Sequence, residues 1–251
     1  MIEVVIGFFI AIAIAITGVG GGTITAPVLM LFLGIEPAVA VGTALSFSTI
    51  VKIPAGISYY LKGKIDGKYL AIMAAGGIPG VLTGTLLLRY FSENHGLKLF
   101  VLCAVGAIVL FSALVNVALM VRQVELKYSE KMIYVIPAVS FFIGTEVGFS
   151  SAGAGALGTL LLLHTTRLFA CTVVGTDILF GLIISAVGGG LHISMGNMDL
   201  PLFAKLVSGG VFGSIIGSHI ASRVPGKPLR VALLVWLIFI GSQLLYRGIT
   251  G

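Results

Sequence analysis

Residues 37–61 read PAVAVGTALSFSTIVKIPAGISYYL and carry a single charged side chain, Lys52. Similar runs, almost free of charge, fall at about 2–17, 69–90, 97–121, 132–149, 168–194, 202–222 and 229–247. Most reach the roughly twenty residues that a helix needs to cross a bilayer. Charged residues make up 10% of the chain, against about a quarter in a soluble domain, too few to coat a water-facing surface. An all-α integral membrane protein is therefore expected. The net charge of +6 reads as a topology signal, and no nucleic-acid partner is expected. Met1-Ile2-Glu3 offers no basic leader and no cleavage site follows, so the first segment reads as retained.

Two apolar segments are too short to span, 23–34 and 154–164. Each follows a glycine-rich break, TGVGGGT at 17–23 or FSSAGAGALG from Phe149. The breaks are related. Sliding the chain by 133 residues lays 17–90 on 150–223 without a gap, with sixteen identities where chance gives about six. Val41-Gly42-Thr43 falls on Val174-Gly175-Thr176, and Gly63-x-x-Asp66 falls on Gly196-x-x-Asp199. Gly76, Gly80 and Gly84 fall on Gly209, Gly213 and Gly217, two rows spaced for close helix packing. The chain thus divides into a membrane repeat over 1–121, a cytoplasmic linker over 122–131 and a second repeat over 132–251.

Loop charge orients the repeats. If each short segment turns back toward the face its predecessor came from, ten Lys and Arg residues gather on one face and four on the other. If it continues its predecessor, the split is eight to six. The first arrangement fits the rule for cytoplasmic loops and puts both termini outside. It gives five segments per half, an odd number that inverts the repeats: about eight full spans plus two short half-helices.

Inverted repeats with interrupted helices mark secondary transporters, whose substrate sites lie near the midplane at the repeat interface. A glycine break frees backbone N–H groups, and the helix after it presents its positive end, an arrangement suited to an anion. Gly20, Gly21, Gly22 and Thr23 are expected on one side of such a cradle, and Ser150, Ser151, Gly153 and Gly155 on the other. Thr43, Ser46 and Thr176 supply neutral donors. Lys52 sits mid-segment, where a charge is costly, and reads as an anion partner or as the partner of a buried acid. Glu146 and Asp177 are carboxyls inside spanning segments. They read as proton-coupling groups or as ion-pair partners of Lys52 that fix packing.

Gly18-Val19-Gly20-Gly21-Gly22 followed by Pro27-Val28-Leu29 resembles the GxGGGxxxxPxL motif of the sulfite exporter TauE/SafE family. The resemblance covers the whole chain in length and two-repeat plan. It implies a multi-pass permease of the cell (inner) membrane that moves sulfite or organosulfonates such as sulfoacetate, often outward. The second copy departs from the motif, with Leu160 where the first has Pro27. A passive anion channel is the rival that uses the same cradle. Gly148-Phe149-Ser150-Ser151 approaches a serine nucleophile motif and raises an intramembrane protease as a remote rival. Four scattered histidines give no metal site, no cofactor is expected, and Cys103 and Cys171 read as small apolar residues. The plan leaves room for a homodimer.

Overall fold

The computed structural model describes residues 1–17, 21–93, 98–121, 133–152, 157–221 and 226–250. Ten helices follow one another there: α1 (Ile2–Thr17), α2 (Gly21–Phe32), α3 (Pro37–Leu61), α4 (Gly67–Glu93), α5 (Lys98–Val121), α6 (Val135–Ser150), α7 (Leu157–Thr165), α8 (Ala170–Ser194), α9 (Leu200–Ala221) and α10 (Gly226–Thr250). The apolar segments read from sequence each become one of them. Five are long and apolar enough to cross a membrane over Pro37–Leu61, Gly67–Glu93, Leu99–Ala118, Ala170–Ser194 and Leu200–Gly217. Of the eight full spans expected, α1 and α6 have only 16 residues each, about 24 Å of helix. The linker over 122–131 lies outside the described residues.

The short loops explain two of the identities between the copies. Gly63 and Gly196 take up left-handed conformations, with φ of 62° and 74°, which a side chain would disfavour. Three residues on, the Asp66 carboxylate accepts the Tyr69 amide at 3.0 Å and the Asp199 carboxylate accepts the Leu202 amide at 2.9 Å. These bonds satisfy amide groups in the first turns of α4 and α9 that have no partner within the helix.

Packing between helices repeats under the same shift. A side chain at Gly76, Gly80 or Gly84 of α4 would strike the carbonyls of Pro137, Phe141 or Thr145, so α4 runs parallel to α6. On α9, a side chain at Gly209 or Gly213 would strike the Val4 or Phe8 carbonyl, and one at Gly217 would meet Ile12, so α9 runs parallel to α1. Phe180 and Ile184 cover Gly77, while Phe47 and Val51 cover Gly210. In every case both members of a contact shift by 133. The first helix of each copy therefore packs on the fourth helix of the other.

α3 and α8 form the centre and run antiparallel. Gly42 meets His192, Gly189 meets Ser46, Gly56 meets Leu179 and Leu182, and Gly175 meets Tyr59. Phe47 and Phe180 are fully buried beside them. The short α2 lies back along α1: Ile24 and Val28 share an apolar groove with Val5, Ile6, Phe9, Ile10 and Ala13. A helix that continued α1 could not reach Val5 and Phe9.

Packing of bare backbone on bare backbone makes a prediction. Gly80→Val should destabilise the bundle by about 1–3 kcal/mol, because the Phe141 carbonyl cannot move away within a packed helix. Gly190, with open space around its Cα, is the control. Gly190→Ala should leave the melting temperature unchanged or raise it, since alanine is the better helix former by about 0.5–1 kcal/mol. Thermal unfolding of both variants in one detergent checks the pair.

Candidate functional site

Lys52 lies in the middle of α3, 8% exposed, and its ammonium donates to the Ser185 hydroxyl at 3.4 Å. Residue 185 is residue 52 moved by 133, so Lys52 touches its own copy. Equivalent positions of the two copies thus meet here, and the α4–α6 and α9–α1 contacts recur under the same shift. The ammonium has three N–H groups and among the described residues one protein partner. Two donors remain in a nearly water-free setting, where a charge without a partner is costly.

The glycine breaks meet as well. α6 ends at Ser151, whose φ of 62° is left-handed and whose amide donates to the Val147 carbonyl at 2.8 Å. It is the one described non-glycine residue with a positive φ, and such a conformation persists only where surrounding contacts impose it. Ser150 donates to the Glu146 carbonyl at 2.9 Å and accepts the Ala152 amide at 3.2 Å. The Ser151 hydroxyl is buried, has no partner among the described residues and lies against Gly22, where a side chain would collide with it. The start of α2, at Gly21, Gly22 and Thr23, thus faces the end of α6. Thr23 is buried too, at 6% exposure. Gly20, Gly153 and Gly155 lie outside the described residues.

Asp177, on α8, is also buried. Thr159 of α7 donates to its Oδ2 at 2.6 Å, and its Oδ1 has no partner among the described residues. Gly158, lacking a side chain, makes room for the carboxyl. Among the described residues no ion pair within 4 Å joins Asp177 to Lys52, though each lies within electrostatic reach of the other. Glu146, on α6, has Ser112 of α5 within hydrogen-bonding reach.

Thr43 and Thr176 have a different setting from the central residues. The Asp199 amide donates to the Thr43 hydroxyl at 3.3 Å, and the Asp66 amide donates to the Thr176 hydroxyl at 2.9 Å. Next to them, a side chain at Gly42 or Gly175 would strike the Asn197 or Lys64 carbonyl. The repeated Val-Gly-Thr therefore clasps a loop of the opposite half at each end of the α3–α8 pair. Ser46 donates to the Gly42 carbonyl at 2.9 Å and lies beside Gly189.

Sequence reasoning missed Ser185, Thr159 and His192. Ser185 was accessible through the shift that pairs it with Lys52. His192 is fully buried and neither ring nitrogen has a partner among the described residues. It is the copy of Tyr59, and no spacing distinguished it.

If the clasps hold the loops, Thr43→Val and Thr176→Val should each cost about 1–3 kcal/mol by leaving a loop amide without its acceptor. Hydrogen exchange should then quicken at Asp199 in the first variant and at Asp66 in the second.

The family model for the sulfite exporter TauE/SafE matches residues 4–244. Two similar proteins come from Bacillus subtilis (strain 168). "Probable membrane transporter protein YjnA" is 28% identical over 96% of this chain and 98% of its own length. "Probable membrane transporter protein YunE" is 26% identical over 99% and 98%. A "Probable membrane transporter protein" of Xylella fastidiosa (strain 9a5c) is 25% identical over 86% of this chain and 83% of its own. No solved structure matches the chain.

Proposed function

Because the chain belongs to the sulfite exporter TauE/SafE family and is a multi-pass membrane transporter, not an enzyme, we propose that it exports sulfite or small organosulfonates such as sulfoacetate, coupled to protons. The observation that carries this reading is the contact of Lys52 with its own copy, Ser185, with N–H donors to spare; in two inverted copies that contact falls on the two-fold axis between them. A sulfite or sulfonate group offers several oxygen acceptors and at least one negative charge, which the ammonium and the Ser185 hydroxyl can share. The start of α2 adds backbone N–H groups and the positive end of a helix. Gly21, Gly22 and Thr23 form one side of the cradle and Ser150 and Ser151 the other, and Gly20, Gly153 and Gly155 belong to the same two breaks in sequence. Ser46 lines the approach, and Thr43 and Thr176 serve it by holding the loops.

The antiparallel course of α3 and α8, and the matching reversal of α4 against α9, support two inverted repeats of five segments, with α2 and α7 re-entrant. Such a plan lets the same site open first to one face and then to the other. Asp177 lies within electrostatic reach of Lys52, so gain or loss of its proton changes the charge that an arriving anion meets. We assign proton coupling to Asp177, with Glu146 as a second proton-accepting carboxyl on the α5 side.

Calorimetry of the purified protein against sulfite, sulfoacetate and taurine tests the site. Sulfite or sulfoacetate should bind, and Lys52→Met should weaken binding by about 30-fold or more, equivalent to about 2 kcal/mol for a lost buried charge partner. Asp177→Asn should flatten the pH dependence of flux in liposomes while keeping binding. Unchanged affinity in Lys52→Met would remove the axis from the substrate path.

Orientation is checked by single cysteines placed beside Lys64 and beside Arg247. An impermeant thiol reagent should label the second from outside intact cells and the first only after permeabilisation. Labelling of both from the same side would overturn the inverted plan.

A further inference from the structure

A second polar cluster lies apart from Lys52, between α5 and α6. Ser112 of α5 lies within hydrogen-bonding reach of the Glu146 carboxyl. One turn further along α5, Asn116 donates its side-chain N–H to the Ser112 carbonyl at 2.8 Å, which fixes the amide beside Ser112. Ser112 is 4% exposed and Asn116 7%. Two acceptors there, Asn116 Oδ1 and Glu146 Oε1, are buried and have no partner among the described residues. Buried oxygens of this kind in native proteins almost always face a donor or a cation. Exposed Phe111 and Leu114 flank Ser112, and exposed Phe142 precedes Glu146 by one turn, so the cluster sits beneath an apolar rim.

The repeat shows that packing alone does not call for a carboxyl at this position. Thr145 meets Gly84 as Ile12 meets Gly217, so Glu146 corresponds to Ala13. The first copy makes the same helix contact with a methyl group in place of the acid.

We propose that Ser112, Asn116 and Glu146 bind one Na⁺ ion, in competition with a proton. As a binding site this stands alone; as a coupling site it rests on the transporter reading above. Carboxylate, amide and hydroxyl oxygens are hard ligands that suit hard cations. One carboxylate balances one positive charge, so the occupied site is neutral, whereas a divalent ion would leave net charge inside the apolar layer. Na⁺ accepts lone pairs from Glu146 Oε1 and Asn116 Oδ1 together. In its absence a proton on Glu146 neutralises the same carboxyl.

Thermal unfolding of the purified full chain, titrated with NaCl at constant ionic strength with choline chloride, tests the site. Na⁺ should raise the melting temperature saturably, and KCl and choline chloride should not. The Na⁺ midpoint should move upward by as much as about tenfold for each unit of pH lost, as competition with one proton requires. Asn116→Leu and Glu146→Gln should each abolish the response. An equal response to choline, a midpoint independent of pH, or a full Na⁺ response in both variants would overturn the proposal. Should Glu146→Gln fail to fold, Asn116→Leu keeps the carboxyl, and an intact response in it alone would overturn the proposal. Sulfite calorimetry on the same preparations separates the two readings. Absence of sulfite binding beside an intact Na⁺ response removes the Lys52 site and leaves this one.

Discussion

Backbone meeting backbone is the contact on which the bundle depends. In lipid, side-chain burial brings helices together only weakly, because the tails they leave are as apolar as the neighbours they gain. What remains is dispersion at close range, and glycine is the residue that permits it. Gly76, Gly80 and Gly84 bring α4 onto the carbonyls of α6, and Gly209, Gly213 and Gly217 bring α9 onto α1. These contacts cross between the copies. Neither half owns its packing partners, so the two copies form one body and the seam between them lies inside it.

The meeting of residues 52 and 185 explains why one buried lysine suffices. Residue 52 faces its own copy, so a lysine at both positions would set two ammonium groups against each other in an apolar interior. Serine at 185 removes the conflict and adds a hydroxyl that accepts a bond from the remaining cation. The repeat had to be broken at that position for a cation to occupy it.

The helices, the repeat and the glycine rows were legible in sequence because each is written as a period or an identity. Residues 37–61 were read as one segment and became one helix. Partners across the halves were harder. Asn116 and Ser112 sit in an apolar run with no pattern to single them out, and their meaning comes from Glu146, on a different helix. Thr43 and Thr176 show a subtler limit. Identity between copies marked them for a role, but sequence does not separate a residue that touches a ligand from one that clasps a loop. Only the positions of Asp199 and Asp66 do that.

The helix contacts recur between the copies and the buried charges do not. Lys52, Asp177, Glu146 and His192 correspond to Ser185, Ala44, Ala13 and Tyr59. Each of these side chains is costly to bury in its charged form, and its counterpart is not, so two halves that match in packing differ in electrostatic energy. Acidity and voltage therefore act on the halves unequally, and a scaffold that is nearly even in shape carries a built-in electrical bias.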